Sequence, residues 1–409
     1  MMGLKQKKKK NKWVLFRHKL ITAVGRLGLY PYVMLQCKVK LKKFKEQGKR
    51  QYLIVMNHQT TFDQFFVAMV FRHPVYYIAT EDIFSLGWVS KLIRFLVAPI
   101  PIKKQTNDMQ AVINCMRVAK EGGTIALAPE GNRTYSGKTE YIKPSIVKLA
   151  RALKLPIAVF RIEGGYGVQP RWSDVNRKGV IQAGVSRVIE PEEYKELSDE
   201  AFYDLLVKEL YVNEACVDDL FPHKKSAEYL ERAMYVCPWC GFSTFESHDD
   251  VIECKSCARK IRYLPTKELQ GEGFTFPHRF VNDWYEAQKA FINATDVMAY
   301  CAQPLYRDRV CLSEVILYDR KNLLREETAL ALYGDRIVVG GDGDEEILLP
   351  FDEVTAVVVL GRNKLNVYHD GKVYQMKGSK RFNALKYVNL YYRFKNLQEG
   401  HPEETFLGI

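Results

Sequence analysis

The sequence predicts an α/β chain in three parts: a layered α/β domain preceded by amphipathic helices, a small four-cysteine module, and a β-rich region closed by a helix. Three observations lead there. Runs rich in β-branched residues alternate with helical stretches between residues 51 and 190, two Cys-x-x-Cys pairs stand 13 residues apart, and the chain after about Arg309 reads as strands up to one last amphipathic stretch. With 409 residues and 47% hydrophobic content, two to four modules can each bury a core, which excludes a disordered or fibrous chain.

Taken in order, residues 1–12 carry Lys5, Lys7 to Lys10 and Lys12, too much charge to pack. Between Trp13 and Val39 the apolar residues Trp13, Leu20, Val24 and Leu27, with Val14 and Ile21, recur at helical spacing among basic residues, and Pro31 is expected to split this stretch into a helix and a second short one. Trp, Leu and Phe beside a Lys/Arg-rich face make a composition that lies in a headgroup layer. The alternative is a helix that covers the following domain's core and keeps its basic face in water.

Residues 1–50 hold 16 of the 61 Lys and Arg but only Glu46 of the 48 acidic residues, so residues 51–409 carry 45 basic against 47 acidic side chains. The positive charge therefore belongs to the N-terminus and suits an anionic membrane surface, each basic side chain there contributing about 1 kcal/mol. A nucleic-acid partner is not expected, since its footprint would put basic residues on the later modules. Arg17, Lys19 and Arg26 interrupt the only candidate apolar run, so no spanning helix is expected, and no secretory signal stands out. Nine cysteines, an odd number, point to a reducing compartment. The expected location is cytoplasmic, peripheral on the inner face of the membrane.

Strands are expected at 52–56, 75–79, 124–128, 157–162 and 180–188, with helices near 61–71, 85–97, 107–120 and 144–153, which together make a largely parallel sheet. An acidic helical stretch follows Pro191 to about Arg232. In the C-terminal part, Asp370-Gly371 marks a hairpin turn between 365–368 and 372–376, before a helix from about Arg381 to Phe394. Its architecture resembles pleckstrin-homology and similar lipid-surface modules. The expected divisions are 1–50, a basic membrane-interface segment; 51–232, the α/β domain; 233–265, the cysteine module; and 270–409, the β-rich domain.

Two blocks could do chemistry in the α/β domain. The first, Asn57-His58-Gln59-Thr60-Thr61-Phe62-Asp63, directly follows the first expected strand. On one continuous helix a five-residue offset separates side chains by about 140°, so His58 and Asp63 can meet only across a strand-to-helix turn. Thr61 as N-cap with Gln64 as capping box would leave His58 in the loop and Asp63 in the first helical turn. An Asp there would hold one imidazole nitrogen and leave the other as a base.

The second block is Pro129-Glu130-Gly131-Asn132-Arg133-Thr134, where Gly131 allows close backbone approach and Arg133 can fork onto a phosphate at a strand's C-terminal end. A Glu130–Arg133 ion pair bracing the loop would explain it equally well. Lys103 and Lys104 add positive charge after a further short apolar segment.

The four cysteines Cys237, Cys240, Cys254 and Cys257 have the spacing of a tetrahedral structural Zn²⁺ site, with no position left open for a catalytic water. The acidic string at 342–346 lacks a calcium loop's ligand spacing. No G-x-S-x-G is present, which leaves a serine-nucleophile hydrolase without support.

Asn57-His58 to Asp63, then Pro129-Glu130-Gly131-x-Arg133 about seventy residues later, with Leu155-Pro156-Ile157 beyond, resembles the glycerolipid acyltransferases, notably the lysophosphatidate (1-acylglycerol-3-phosphate) acyltransferases, over roughly residues 15–200. The resemblance implies that His58 deprotonates a lysophospholipid hydroxyl, that Asp63 orients it, and that Glu130, Gly131 and Arg133 bind the glycerol phosphate. It also implies an acyl donor, acyl-CoA or acyl carrier protein, a lysophosphatidate acceptor converted to phosphatidate, and N-terminal helices on the membrane. Two positions depart from the family's pattern: Asn132 stands where Thr is usual, and Lys104 aligns with a position commonly Arg. The contrasting readings are a lipid-binding protein without turnover and a nucleic-acid-binding zinc-ribbon protein.

Overall fold

The structure, a computed structural model, describes residues 12–85, 87–102, 108–216, 219–316, 319–341, 343–401 and 404–408. Lys103 and Lys104 lie outside these residues, as do Lys5 and Lys7 to Lys10.

A 21-residue helix, α1 (Phe16–Gln36), leads into β1 (Lys38–Lys42), β2 (Leu53–Met56), α2 (Asp63–Val70), β3 (Val75–Thr80), α3 (Trp88–Val97), β4 (Ile100–Ile102), α4 (Met109–Lys120), β5 (Thr124–Leu127), α5 (Ser145–Leu153), β6 (Ile157–Glu163), the single turn α6 (Gly165–Val168) and β7 (Val180–Ile189). The seven strands form one sheet in the order β1-β7-β6-β2-β5-β3-β4, parallel except between β6 and β7. The short helix α7 (Pro191–Tyr194) and α8 (Asp199–Leu210) follow. Beyond α8, the expected helical stretch gives way to irregular chain before a 3-10 turn at Leu230–Arg232.

Strand alternation builds the layers. In β2, Ile54 and Met56 face a core with Val33 of α1 and Phe66 and Val67 of α2, while Leu53 and Val55 face the opposite core with Val118 of α4, Ile146 and Ala150 of α5 and Leu206 of α8. Both faces of the central strands are covered, so these strands read as unbroken apolar runs. Each fully buried aliphatic side chain contributes about 1.5–3 kcal/mol.

Two N-terminal expectations change. Helix α1 runs through Pro31, which was expected to break it, because the proline and the turn around Leu27 face water, where the carbonyl left without an amide partner can be hydrated. Residues Lys38–Lys42, grouped above with the basic segment, pair with β7 as the sheet's edge strand. The apolar stripe Phe16, Leu20, Val24 and Leu27 points outward, Leu27 being 80% exposed; α1 runs beside α3, whose Trp88 and Phe95 are exposed too, and Arg17 lies over the Phe95 ring at 4.4 Å. Among the described residues, no helix is long and apolar enough to cross a membrane.

The cysteine module holds the hairpin β8 (Val236–Cys237) and β9 (Gly241–Phe242), then an antiparallel sheet of β10 (Phe245–His248), β11 (Val251–Cys254), β12 (Lys260–Tyr263) and β13 (Leu269–Gly271). After α9 (Val281–Ala294) come β14 (Tyr306–Ile316), β15 (Arg320–Leu332), β16 (Arg336–Gly341), β17 (Asp344–Pro350), β18 (Val354–Leu360), β19 (Lys364–His369) and β20 (Lys372–Gly378), an antiparallel sheet closed by α10 (Leu385–Gln398). Asp370 and Gly371 both have positive φ, 48° and 68°, as a two-residue hairpin turn requires.

The module, this sheet and both helices share one core, which also takes in Tyr135 and Trp172 from the α/β domain. Arg177 reaches across to the Tyr263 hydroxyl at 3.0 Å, and Arg232 donates to the Trp172 carbonyl at 2.9 Å and to Asp174 at 2.7 Å.

Candidate active site

Strands β2 and β5 are parallel neighbours at the sheet's centre, so the loops leaving their C-terminal ends lie side by side. The first carries His58 and the second Glu130 to Thr134. Asn57 fixes the start of the first loop: its buried amide exchanges two 2.8 Å hydrogen bonds with the Ile162 backbone of β6. Gln59 accepts from the Tyr166 N–H at 2.8 Å, and Gln169 accepts from the Thr61 N–H at 2.9 Å.

Asp63 opens α2 and is fully buried. Its carboxylate meets His58 Nδ1 at 2.7 Å and accepts from the Gln59 N–H at 2.7 Å, the Thr60 N–H at 2.9 Å and the Thr60 hydroxyl at 2.6 Å. The imidazole remains about a quarter exposed, with Nε2 on the side away from Asp63. The expected capping box does not form. Helix α2 starts at Asp63, Gln64 donates to the Thr61 carbonyl at 2.8 Å, and the free N–H groups of the turn are taken up by Asp63 and Thr60 instead. A charged acceptor held in the turn outcompetes a neutral amide.

The second loop needs a glycine at Gly131, whose φ of 70° is a left-handed conformation. Glu130 turns inward and ties the loops together, accepting from the His58 N–H at 2.7 Å and the Glu140 N–H at 2.8 Å. Burial pushes its carboxyl well above the usual carboxylate range, against the pull of those two N–H groups. Thr134 N–H closes the pair of loops by donating to the His58 carbonyl at 3.1 Å.

Arg133 is buried to 9% exposure, and its Nη1 has no hydrogen-bond partner. Burial, then the charges of Arg171 and Arg362, holds its guanidinium down to about 9. Arg171 donates to the Arg133 carbonyl at 2.9 Å and lies over the Tyr135 ring at 4.2 Å. Sequence reasoning brought together His58, Asp63, Glu130, Gly131 and Arg133. It did not single out Gln169, Arg171 or Arg362, which carry no local spacing signal and converge only through the fold.

In the cysteine module, the sulfurs of Cys237, Cys240, Cys254 and Cys257 lie within 4.8 Å of one another. A tetrahedral Zn²⁺ with Zn–S bonds of about 2.3 Å separates its sulfurs by about 3.8 Å, and Cys237 and Cys257 stand 3.9 Å apart, so the donor set fits the ion. His248 is exposed and turned to Glu246 at 3.0 Å.

Residues 36–163 match the model of the Acyltransferase family. The 1-acyl-sn-glycerol-3-phosphate acyltransferase BAT2, chloroplastic, of Brassica napus is 20% identical over 177 residues, 42% of this chain and 49% of that protein. The chain thus spans about half the length of that curated relative. Among solved structures, the 1-acyl-sn-glycerophosphate acyltransferase PlsC of Thermotoga maritima is 20% identical, with a TM-score of 0.39 over 47% of this chain and 75% of its own. Over its first half this chain is similar to the 1-acylglycerol-3-phosphate acyltransferases, an enzyme family, and beyond that half it carries a four-cysteine cluster and a β-rich region closed by a helix.

Proposed function

We propose that the chain transfers a fatty acyl group from acyl-CoA or acyl carrier protein to the free hydroxyl of lysophosphatidate, giving phosphatidate. One observation carries the reading: the 2.7 Å contact of His58 with a buried Asp63, one loop away from a buried arginine. Asp63 holds Nδ1, which leaves Nε2 to take the acceptor's hydroxyl proton. The hydroxyl oxygen attacks the thioester carbonyl, the tetrahedral adduct expels the thiolate, and the thiolate takes the proton back from Nε2. No acyl-enzyme is formed.

Arg133 binds the acceptor's phosphate. Glu130 acts through the His58 backbone, as a brace between the loops. The outward apolar stripe of α1, beside the basic N-terminus, rests in the headgroup layer of an anionic membrane, which keeps the enzyme peripheral on the cytoplasmic face and brings the acceptor to the site from the bilayer. The four thiolates hold a structural Zn²⁺, which supplies cross-linking of the module rather than chemistry.

The test is acyl transfer by the purified chain on vesicles, from acyl-CoA and from acyl carrier protein, to lysophosphatidate. Turnover that is lost in His58→Ala supports the reading. A folded, zinc-loaded chain inactive with both donors would overturn it.

A further inference from the structure

The arginines around Arg133 come from three distant places. Arg133 follows β5, Arg171 follows α6, and Arg362 lies in the turn between β18 and β19 of the C-terminal sheet. Arg171 donates to the Arg133 carbonyl at 2.9 Å, and Arg362 pairs at 3.1 Å with Asp174, three residues after Arg171, so the fold brings both arginines to the Arg133 loop, where their charges lower its pKa. Acidic compensation is short. Asp63 is committed to His58 and Thr60, and Asp174 is shared between Arg232 at 2.7 Å and Arg362 at 3.1 Å, with the Lys380 charge also nearby. Arg133 Nη1 and Arg362 Nε are both buried without a hydrogen-bond partner.

A pure docking clamp would have no use for this surplus. One carboxylate for Arg362 would hold the C-terminal sheet in place without a second and third guanidinium next to it, and like charges gathered in a poorly hydrated place repel. An anion with several acceptor oxygens would satisfy the open N–H groups and the excess charge together.

We propose that Arg362, together with Arg171, completes the anion site begun by Arg133, so that the C-terminal β region supplies part of the binding site for a phosphomonoester headgroup. The identity of the anion as the acceptor's headgroup rests on the acyltransferase reading; the anion site does not. Arg362 then sets headgroup preference. A dianionic phosphomonoester gains from all three guanidiniums, while a choline phosphodiester brings one negative charge and a trimethylammonium that the cluster repels.

The experiment uses the whole zinc-loaded chain and two readouts, calorimetric titration with glycerol 3-phosphate and acyl-transfer kinetics on lysophosphatidate and lysophosphatidylcholine. Arg362→Gln is expected to weaken glycerol 3-phosphate binding by about tenfold or more and to raise the lysophosphatidate KM by a similar factor, with kcat within about threefold and the lysophosphatidylcholine KM little changed. Arg362→Lys keeps the charge but loses the fork, and should fall between the two. If Arg362→Gln fails to melt cooperatively, the Lys variant decides: a several-fold loss of glycerol 3-phosphate affinity supports the site, and unchanged affinity overturns it. Equal binding in the wild type and Arg362→Gln, no binding in the wild type, or an equal KM rise for both acceptors would also overturn it. Glycerol 3-phosphate binding that depends on Arg362 in a chain without acyl transfer would sink the proposed function and leave the anion site standing.

Discussion

The two ends of the candidate site are built in opposite ways. The His58 end is contained in seven consecutive residues, and the buried Asp63 carboxylate is saturated by an imidazole, two N–H groups and a hydroxyl. The Arg133 end draws on segments separated by about 190 and 230 residues from Arg171 and Arg133 to Arg362, and leaves buried N–H groups open. A saturated cluster is rigid before any ligand arrives, which suits a base that must stay aimed. An unsaturated one is strained until an anion comes, which suits recognition.

The largest expected effect breaks the first end alone. His58→Ala should lower acyl transfer by about 10²–10⁴ or more while glycerol 3-phosphate affinity stays within about twofold. Asp63→Asn should cost less in rate, about 10², and also loosen the loop, read as faster amide exchange at Gln59 and Thr60.

Removing zinc should act on the other end. Chelation, or Cys254→Ser at a fully buried cysteine, is expected to lower the melting temperature by at least about 5 °C and to weaken anion binding, since the module and the sheet carrying Arg362 share a core. Metal analysis giving one zinc per chain before treatment, and none after, checks the cause.

A double substitution on α1 leaves both ends intact. Leu20→Ser with Leu27→Ser should reduce binding to anionic vesicles by about tenfold or more, and kcat on a water-soluble short-chain acceptor should not change. The smallest effect compares the loops directly. A Cβ at Gly165 would meet Gln59 Cβ at 2.7 Å, so Gly165→Ala should destabilise by about 1–3 kcal/mol and slow turnover through the His58 loop. At Gly131 a Cβ meets nothing within 4 Å, and Gly131→Ala should cost only the backbone strain, about 1–2 kcal/mol.

What could be read from the chain follows the same contrast. The strands and helices of the α/β domain were legible because their apolar runs are local, with ends within a few residues of those observed. The His58 loop was legible too, since a strand, a His and an Asp five residues on admit little other geometry. The run of α1 through Pro31 was not, because hydration of a carbonyl depends on which side of the helix meets water. Arg171 and Arg362 left no trace in spacing, as nothing in a Pro-Arg-Trp or Gly-Arg-Asn triplet says which loop will stand opposite. Lys103 and Lys104, the further basic side chains that the sequence offered beside Arg133, fall outside the described residues.

Tyr135 and Trp172 belong to the α/β domain by position and to the C-terminal core by packing. A fragment ending near Arg232 would therefore present two large aromatic rings to water, one of them only four residues past Glu130's neighbour Gly131. Such a fragment should be sticky and short-lived rather than a minimal version of the protein, and a protease nick in the irregular stretch after α8 should leave the two pieces clasped together. With one core shared between them, the two halves are expected to unfold as a single unit.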